Sequence, residues 1–148
     1  MGNYNTLFSF VMALPHEQAI DYALNLAALA DTLHLQSEEA RSLSKENFPT
    51  ELEDCLDDWS FEVDRNEAGI WIHSDDSGAD TACEFVQHLL DKFGIEESVG
   101  FEWANTSSKP YLDAFGGGAA IITAHEIKSW TSFAWLTLQP GFVRPHAR

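Results

Sequence analysis

The sequence predicts an α+β domain in which helices cover one face of an antiparallel sheet of about five strands. Segments with an apolar residue at every second position alternate with segments whose apolar residues repeat every three or four positions. Their order, β-α-(short helix)-β-β-α-β-β-α, contains the β-α-β-β-α-β unit of a ferredoxin-like sandwich, followed by a C-terminal strand and a short helix. We expect residues 1–140 to form one globular domain and residues 141–148 to form a mobile tail.

The first strand and the first helix occupy the N-terminal third of the sequence. Tyr4–Leu14 is rich in aromatic and branched residues, and its apolar side chains recur with a period of two. Pro15 is suited to a helix start, and a wide apolar stripe that runs to Leu33 predicts a helix of roughly 18 residues. The polar segment from Leu35 to Pro49 is predicted to connect this helix to the next element.

A short helix and a β-hairpin follow. Thr50 and Glu53 have the spacing of a capping box, which predicts a helix over Glu51–Asp58. Beyond it, apolar residues alternate with polar ones to form a strand at Trp59, Phe61 and Val63. After a turn at RNEAG the chain returns as a second strand over Ile70–His73.

The second half of the chain contains the clearest helical pattern. Apolar residues repeat with helical spacing from Ala82 to Phe93, and Gly94 ends the helix. The preceding segment SDDSGAD is predicted to cap the helix with its carboxylates. Two further strands are predicted, at Val99–Trp103 and in GGGAAIITAH, and a final short helix contains Phe133, Trp135 and Leu136.

Acidic residues are concentrated in one part of the sequence. The chain has 24 acidic residues against eight Lys and Arg, a formal net charge of −16. Residues 51–102 contain sixteen of the acids against Arg65 and Lys92, a net charge of −14. A charge of magnitude roughly 2–8 is sufficient for the solubility of a small domain. The clustering therefore predicts an acidic surface with a function, and solvation alone is the competing interpretation.

The densest acidic stretch also breaks local rules. On an α-helix, Glu53 and Asp57 would be like charges four residues apart, as would Asp54 and Asp58, at a total cost of about 1–2 kcal/mol with the helix dipole. Local rules tend to be broken at functional sites. We therefore predict nine partner-binding residues: Glu51, Glu53, Asp54, Asp57, Asp58, Glu62, Asp64, Asp75 and Asp76.

No pattern in the sequence indicates a metal, a cofactor or a phosphate loop. The six histidines lack the spacings of zinc sites, and DDSGAD lacks the alternating acids and bidentate glutamate of a calcium loop. Cys55 and Cys83 lie on apolar helix faces and are predicted to be buried thiols. Gly116–Gly118 is predicted to be a flexible turn or bulge that enters the strand, without the spacing of a nucleotide-binding motif.

An enzyme is the third hypothesis. Ser107 or Ser108 could combine with His125 and Asp113 beside the glycine turn, but no nucleophile elbow surrounds either serine. We therefore predict a protein without catalytic activity. The N-terminal segment lacks the basic region of a signal peptide, and no apolar run approaches the roughly 18 residues of a membrane span, so a cytoplasmic location is expected.

One segment carries a resemblance to known proteins. WANTSSKPYLDAFGGGAAIIT, residues 103–123, resembles a motif in uncharacterised small proteins of bacterial mobile elements. The small size and acidity are similar to those of phage anti-CRISPR and anti-restriction proteins that imitate DNA. The resemblance implies an inhibitor without a cofactor, and no functional residue can be carried over from a characterised family.

The leading hypothesis is therefore an acidic, non-enzymatic inhibitor that occupies the nucleic-acid site of a basic protein. Alternate residues of a strand lie about 6.6 Å apart, close to the spacing of every second phosphate along one DNA strand. Direct binding of nucleic acid is not expected, because like charges repel. The alternative is a small interaction domain that recognises its partner through apolar surface, with the charge serving solubility.

Overall fold

The computed structural model describes residues 4–37, 39–41, 47–109 and 115–143. The strands are β1 (Tyr4–Ala13), β2 (Glu62–Arg65), β3 (Gly69–Ser74), β4 (Val99–Ser107), β5 (Gly116–Ile122) and β6 (Ile127–Thr131). The α-helices are α1 (Glu17–His34), α2 (Ala79–Lys92) and α3 (Ser132–Thr137), and a 3-10 helix spans Thr50–Asp58.

The sheet has six strands in the order β2-β3-β1-β4-β5-β6, and every neighbouring pair is antiparallel. The α+β class is confirmed, while the expected number of about five strands is too low. The strand that sequence patterns missed is β6. Only Ile127 at its start is partly buried and the remaining residues are exposed, so the segment IKSWT lacks the apolar alternation of a half-buried strand.

One face of the sheet forms the core with α1 and α2. Side chains at alternate positions of the central strands are buried, as in Met12 of β1, Ile72 of β3 and Phe101 of β4. The aromatic ring of Phe101 stacks on that of Phe10 with a centroid distance of 4.2 Å. Successive residues of a strand point to opposite faces of the sheet. The residues that alternate with these buried ones therefore lie on the other face, away from α1 and α2.

The aromatic centre of the core lies where the 3-10 helix meets the sheet. Trp59 and Phe61 are 1% and 2% exposed, and their ring centroids are 4.7 Å apart. Phe85 of α2 is fully buried and lies 5.5 Å from Trp59 and 5.6 Å from Phe61. The first hairpin strand was expected to begin at Trp59, but β2 begins at Glu62. The two aromatic residues are buried without strand pairing.

The predicted short helix is a 3-10 helix, with three residues per turn. Its Leu52 and Leu56 are buried. The predicted capping box is wrong, because Pro49 occupies the N-cap position and no side chain caps the helix. At three residues per turn, residues four apart do not lie above one another, so the repulsion inferred for α-helical geometry is an overestimate.

The turn before α2 also differs from its predicted form. Gly78 is the N-cap, with a φ of +96°, and no side chain accepts a hydrogen bond from the first turn. The hydroxyl of Ser74 instead accepts hydrogen bonds from the backbone N–H groups of Asp76 and Ser77. The carboxylates of Asp75 and Asp76 therefore do not cap the helix, while Asp80 lies in its first turn.

The glycine run Gly116–Gly118, expected as a turn or bulge that enters a strand, is itself the first part of strand β5. Gly117 pairs with Ala104 and Gly118 with Trp103 on β4. A Cβ atom on Gly117 would lie 2.3 Å from the carbonyl oxygen of Trp103. The glycines therefore permit close approach of the neighbouring strand, which is one of the known roles of glycine in a sheet.

Two further sequence predictions concern the thiols and the C-terminus. Both cysteines are free thiols, and Cys83 is buried while Cys55 is partly exposed. Residues 144–148 of the predicted tail lie outside the described residues. In the described part of the chain, no helix combines the length and the apolar character needed to cross a bilayer.

Candidate functional site

The face of the sheet opposite α1 and α2, here called the open face, presents apolar and charged side chains together. It exposes large apolar residues on β1, β3, β5 and β6: Leu7, Val11, Trp71, Ile121 and Trp130, with exposures of 39 to 48%. Exposed carboxylates lie on the same face, on β2 and β4: Glu62, Asp64 and Glu102. Strand alternation places these groups together, since their neighbours in sequence point into the core.

The acidic end of the open face is built around His73 of β3. Its Nε2 atom lies 2.7 Å from Oδ2 of Asp64, and its Nδ1 atom lies 3.7 Å from Oε2 of Glu62. The imidazole stacks on the indole of Trp71 with a centroid distance of 3.6 Å. The indole N–H of Trp71 donates to the hydroxyl of Ser9 at 2.8 Å. These contacts hold two carboxylates at fixed positions beside an exposed aromatic surface.

A shallow cavity of about 410 Å³ lies at this end of the open face. Glu62, His73 and Asp75 contribute its charged and polar wall, while Leu7 and Phe8 contribute apolar surface. A lysine or arginine side chain suits such a lining, because its aliphatic stem packs on apolar atoms while its charged end meets carboxylates. Asp75 and Glu62 therefore line the same cavity.

The rest of the open face is less acidic. Glu102 of β4 pairs with Ala119 of β5, which pairs in turn with Trp130 of β6. In the adjacent row, Ile121 pairs with Lys128. The carboxylate of Glu102 therefore lies between the acidic β2 end and an apolar end that includes one lysine.

The acids of the 3-10 helix lie elsewhere. Its buried leucines face α1 and α2, and its Glu51 contacts the outer surface of α2. Nδ1 of His88 lies 2.6 Å from Oε1 of Glu51, and Nε2 of His88 lies 2.6 Å from the hydroxyl of Tyr22 on α1. This three-residue network fastens the 3-10 helix to both α-helices.

The same network has the order carboxylate, imidazole, hydroxyl, with the hydroxyl supplied by Tyr22. Burial, and next the charge of Glu51, raise the pKa of Tyr22 above its ordinary value. A hydroxyl that acts as a nucleophile needs the opposite shift or a base that removes its proton in the reaction. The pKa of Glu51 is lowered, chiefly by a hydrogen bond from its own backbone N–H and further by His88.

Other acids of the 3-10 helix differ in their contacts. Asp57 pairs with Arg41, whose NH1 atom lies 3.0 Å from Oδ1 of the carboxylate. Asp54 and Asp58 are exposed and form no ion pair with described residues. Asp58 borders a second cavity of about 510 Å³, together with Asp80 and the buried Thr81 at the start of α2.

The predicted partner-binding acids therefore fall into two groups according to the elements that carry them. Glu62, Asp64 and Asp75 lie together at the β2 end of the open face, whereas the acids of the 3-10 helix lie over the helix layer. Asp76 lies in the turn between β3 and α2, where its carbonyl oxygen accepts a hydrogen bond from the N–H of Thr6. Strand alternation directs Glu62 and Asp64 to the open face, whereas the 3-10 helix packs against α1 and α2.

The residues of the enzyme hypothesis are not assembled into a site. Ser107 ends β4 and lies beside the start of β5, whereas His125 lies in the turn that follows the end of β5. The length of β5 separates them by about 20 Å at 3.3 Å per residue. Asp113 lies outside the described residues.

Among the described residues, no three His, Cys, Asp or Glu side chains form a group that could hold a metal ion. The pKa of Cys55 is raised to about 11 and that of Cys83 to about 12, mainly by burial and next by neighbouring carboxylates. Thiols with raised pKa values are poor nucleophiles at neutral pH.

Comparisons with known proteins give no further assignment. No protein-family model, no curated protein and no solved structure matches the chain.

Proposed function

We propose that the protein is a non-enzymatic inhibitor that binds a basic protein through the acidic end of its open face. Glu62 and Asp64 on β2, with Asp75 at the rim of the cavity, are the residues we assign to this contact. The single observation that carries the proposal is the placement of these carboxylates beside the exposed Trp71 on a face that α1 and α2 leave uncovered.

The charge favours a partner whose basic surface normally holds nucleic acid. Glu62 and Asp64 project from alternate positions of one strand, about 6.6 Å apart, which is near the spacing of every second phosphate on a DNA strand. A net charge of −16 attracts a basic protein at long range and repels nucleic acid itself. Occupation of the partner's DNA or RNA site would inhibit that partner.

A second candidate function is recognition through apolar surface without DNA mimicry. It is favoured by the exposed Val11 and Ile121, which lie on the same face and are 47% and 48% exposed. Aromatic anchors and apolar residues in the centre of an interface often dominate its binding free energy. In that case the carboxylates form the rim and contribute mainly to association rate and solubility.

We also propose a ferredoxin-like core for the domain. The strands β2-β3-β1-β4 are consecutive in the sheet and antiparallel throughout. Helix α1 connects β1 to β2 and helix α2 connects β3 to β4, which is the connectivity of a split β-α-β-β-α-β unit. The strands β5 and β6 and helix α3 would then be additions to that core.

The experiment is an affinity capture from bacterial lysate at low salt with the immobilised protein. The variant E62Q/D64N/D75N removes the three assigned carboxylates, and D54N/D57N/D58N is its matched control on the 3-10 helix. Each triple variant changes the formal net charge from −16 to −13. Any difference between the two variants therefore reports the position of the charge.

The mimicry proposal predicts that captured proteins are released by added duplex DNA and by about 0.5 M NaCl, because charge pairs are screened at that ionic strength. It also predicts at least tenfold weaker capture by E62Q/D64N/D75N and little change with the control variant. Capture that survives both treatments but is lost from a V11S/I121S variant supports the apolar candidate. Equal capture by both triple variants would exclude the open face as the contact surface.

A further inference from the structure

Strand β6 is the last strand of the sheet, and its outer edge has no strand beside it among the described residues. Ser129 and Trp130 are exposed, and Ile127 is the one residue of the strand that is partly buried. The following helix α3 contains no buried residue. This end of the domain therefore presents unpaired backbone groups together with exposed apolar side chains, a combination that favours pairing with another strand.

The direction of the free backbone groups follows from the hairpin register. The N–H of Thr123 donates to the carbonyl oxygen of Glu126 at 2.8 Å, which places a hydrogen-bonded pair at the start of the β5–β6 ladder. Hydrogen-bonded pairs recur at every second position, so Lys128 and Trp130 direct their backbone groups toward β5. Ser129 consequently directs its N–H and C=O outward from the sheet.

The charge near β6 indicates which kind of strand can pair with its outer edge. Residues 115–143 contain one acid, Glu126, and one base, Lys128, in a chain whose net charge is −16. Two copies of the chain repel each other through their acidic surfaces but not through this neutral end. The opposite edge strand, β2, carries Glu62 and Asp64 and is thereby protected against self-association.

We propose that two copies of the chain pair antiparallel through β6, about a twofold axis at Ser129. In this register the backbone groups of Ser129 bond to those of Ser129 in the second copy. Lys128 of each copy then lies directly opposite Trp130 of the other, in a pair of the closely spaced, non-hydrogen-bonded kind. An ammonium group beside an indole ring is a favourable cation–π arrangement, and the twofold axis forms it twice. The dimer has one continuous sheet and leaves the acidic β2 ends at its two extremes.

The test is the molar mass of the purified protein by light scattering and sedimentation between about 1 µM and about 500 µM, a range in which mass action reveals a weak dimer. The wild type should shift from 16.5 kDa toward twice that mass. Because like charges of the two copies repel, dimerisation should strengthen as salt is added. Binding of a basic partner weakens with salt, so the two proposals fail or succeed separately.

Variants of the edge make the test specific. S129P removes the outward N–H and should weaken the dimer at least tenfold, while proline at an outward edge position leaves the β5–β6 ladder intact. S129A keeps the N–H and is the matched control. K128E, which removes the cation–π pair and introduces acids, should also weaken the dimer at least tenfold without loss of the circular dichroism of the folded monomer. A wild type that remains at 16.5 kDa throughout, or equal dimerisation by folded K128E and S129A, would overturn the proposal.

Discussion

Trp103 and Gly118 occupy paired positions on β4 and β5, and the indole of Trp103 lies directly over the glycine. A Cβ atom at position 118 would lie 2.3 Å from Cζ2 of the indole and 2.7 Å from the carbonyl oxygen of Trp130. These distances are far below van der Waals contact, so the position excludes any larger residue unless the tryptophan moves. The glycine is thus part of the packing of the sheet.

Replacing Gly118 with alanine should destabilise the protein by about 1–3 kcal/mol, as overpacking of a tight site does. The free energy of unfolding from urea titration measures the effect. In the double variant W103L/G118A the clash with the indole is absent, while the close contact with the carbonyl oxygen of Trp130 remains. The two changes should therefore couple by at least about 0.5 kcal/mol. G100A is the control, because a Cβ there would lie 3.5 Å from the nearest atom, in ordinary contact. Additive effects of W103L and G118A would contradict this account.

Replacing Phe85 with alanine should cost about 3–5 kcal/mol, because it leaves a cavity beneath two buried aromatic rings. Phe85 is fully buried and contacts both Trp59 and Phe61. The matched control is L138A, at a residue that is 66% exposed, for which a change under about 0.5 kcal/mol is expected. Chemical denaturation measures both values. A decrease in the free energy of unfolding below about 1 kcal/mol for F85A would show that the aromatic centre contributes little to the stability of the core.

Replacing Glu51 with glutamine should remove part of the acid sensitivity of the fold. The pKa of Glu51 is lower in the folded protein than its ordinary value of 4.5. Its contribution to stability is therefore present above about pH 4.5 and is lost as the pH falls through the folded pKa. The stability difference between wild type and E51Q should be present at pH 5 and should shrink as the pH falls below about 4.5. A difference that does not change with pH in this range would show that the carboxylate contributes no charge interaction.

Neutralising the 3-10 helix should change stability only slightly. Removal of Asp57 breaks its exposed pair with Arg41, a loss of about 0–1 kcal/mol. Removal of Asp54 and Asp58 relieves repulsion without breaking an ion pair to a described residue. The triple variant D54N/D57N/D58N is therefore expected within about 0.5 kcal/mol of the wild type. The single variant D57N should be less stable than D54N or D58N, and the reverse order in thermal unfolding would contradict the assigned pair.

The two thiols should be nearly inert in the folded protein at neutral pH. Burial and neighbouring carboxylates raise the pKa of Cys55 to about 11 and that of Cys83 to about 12. Labelling with a disulfide reagent should therefore be slow at pH 7.5, faster at Cys55 than at Cys83, and rapid in denaturant. In E84Q, labelling of Cys55 should accelerate, because the charge of Glu84 is one cause of its raised pKa. Fast labelling of native Cys83 would show that its site opens readily.

Periodicity identified the elements that bury one face, and it failed where burial is absent. Helices α1 and α2 and strands β1, β3 and β4 each place a regular apolar stripe against the core, so their patterns are strong. Strand β6 buries almost nothing, and it exists because β5 supplies its hydrogen bonds. The assignment of a 3-10 helix likewise depends on how Leu52 and Leu56 fit against the two α-helices, which local sequence does not specify.

The candidate site was only partly predictable. Charge density alone identified Glu62, Asp64 and Asp75 as candidates. Their position apart from the 3-10 helix depends on which face of β2 points away from the helices, and this follows only from the assembled sheet. Trp71 and His73 were missed as members of the acidic end. The sequence did contain a pattern that identifies them. Trp71 and His73 alternate with the apolar Ile70 and Ile72, which are buried, so they lie on the open face of the sheet.

The central position of β1 affects the order in which the domain can be built on a ribosome. β1 comes first among the described elements, yet Phe8 pairs with Ser74 and Tyr4 pairs with Ser107. The strand therefore has no partner until much of the chain has been synthesised, whereas β4, β5 and β6 are close neighbours in sequence. Folding dominated by such distant contacts is slower than folding from local ones. During translation, the apolar residues of β1 would remain available to chaperones until β3 emerges.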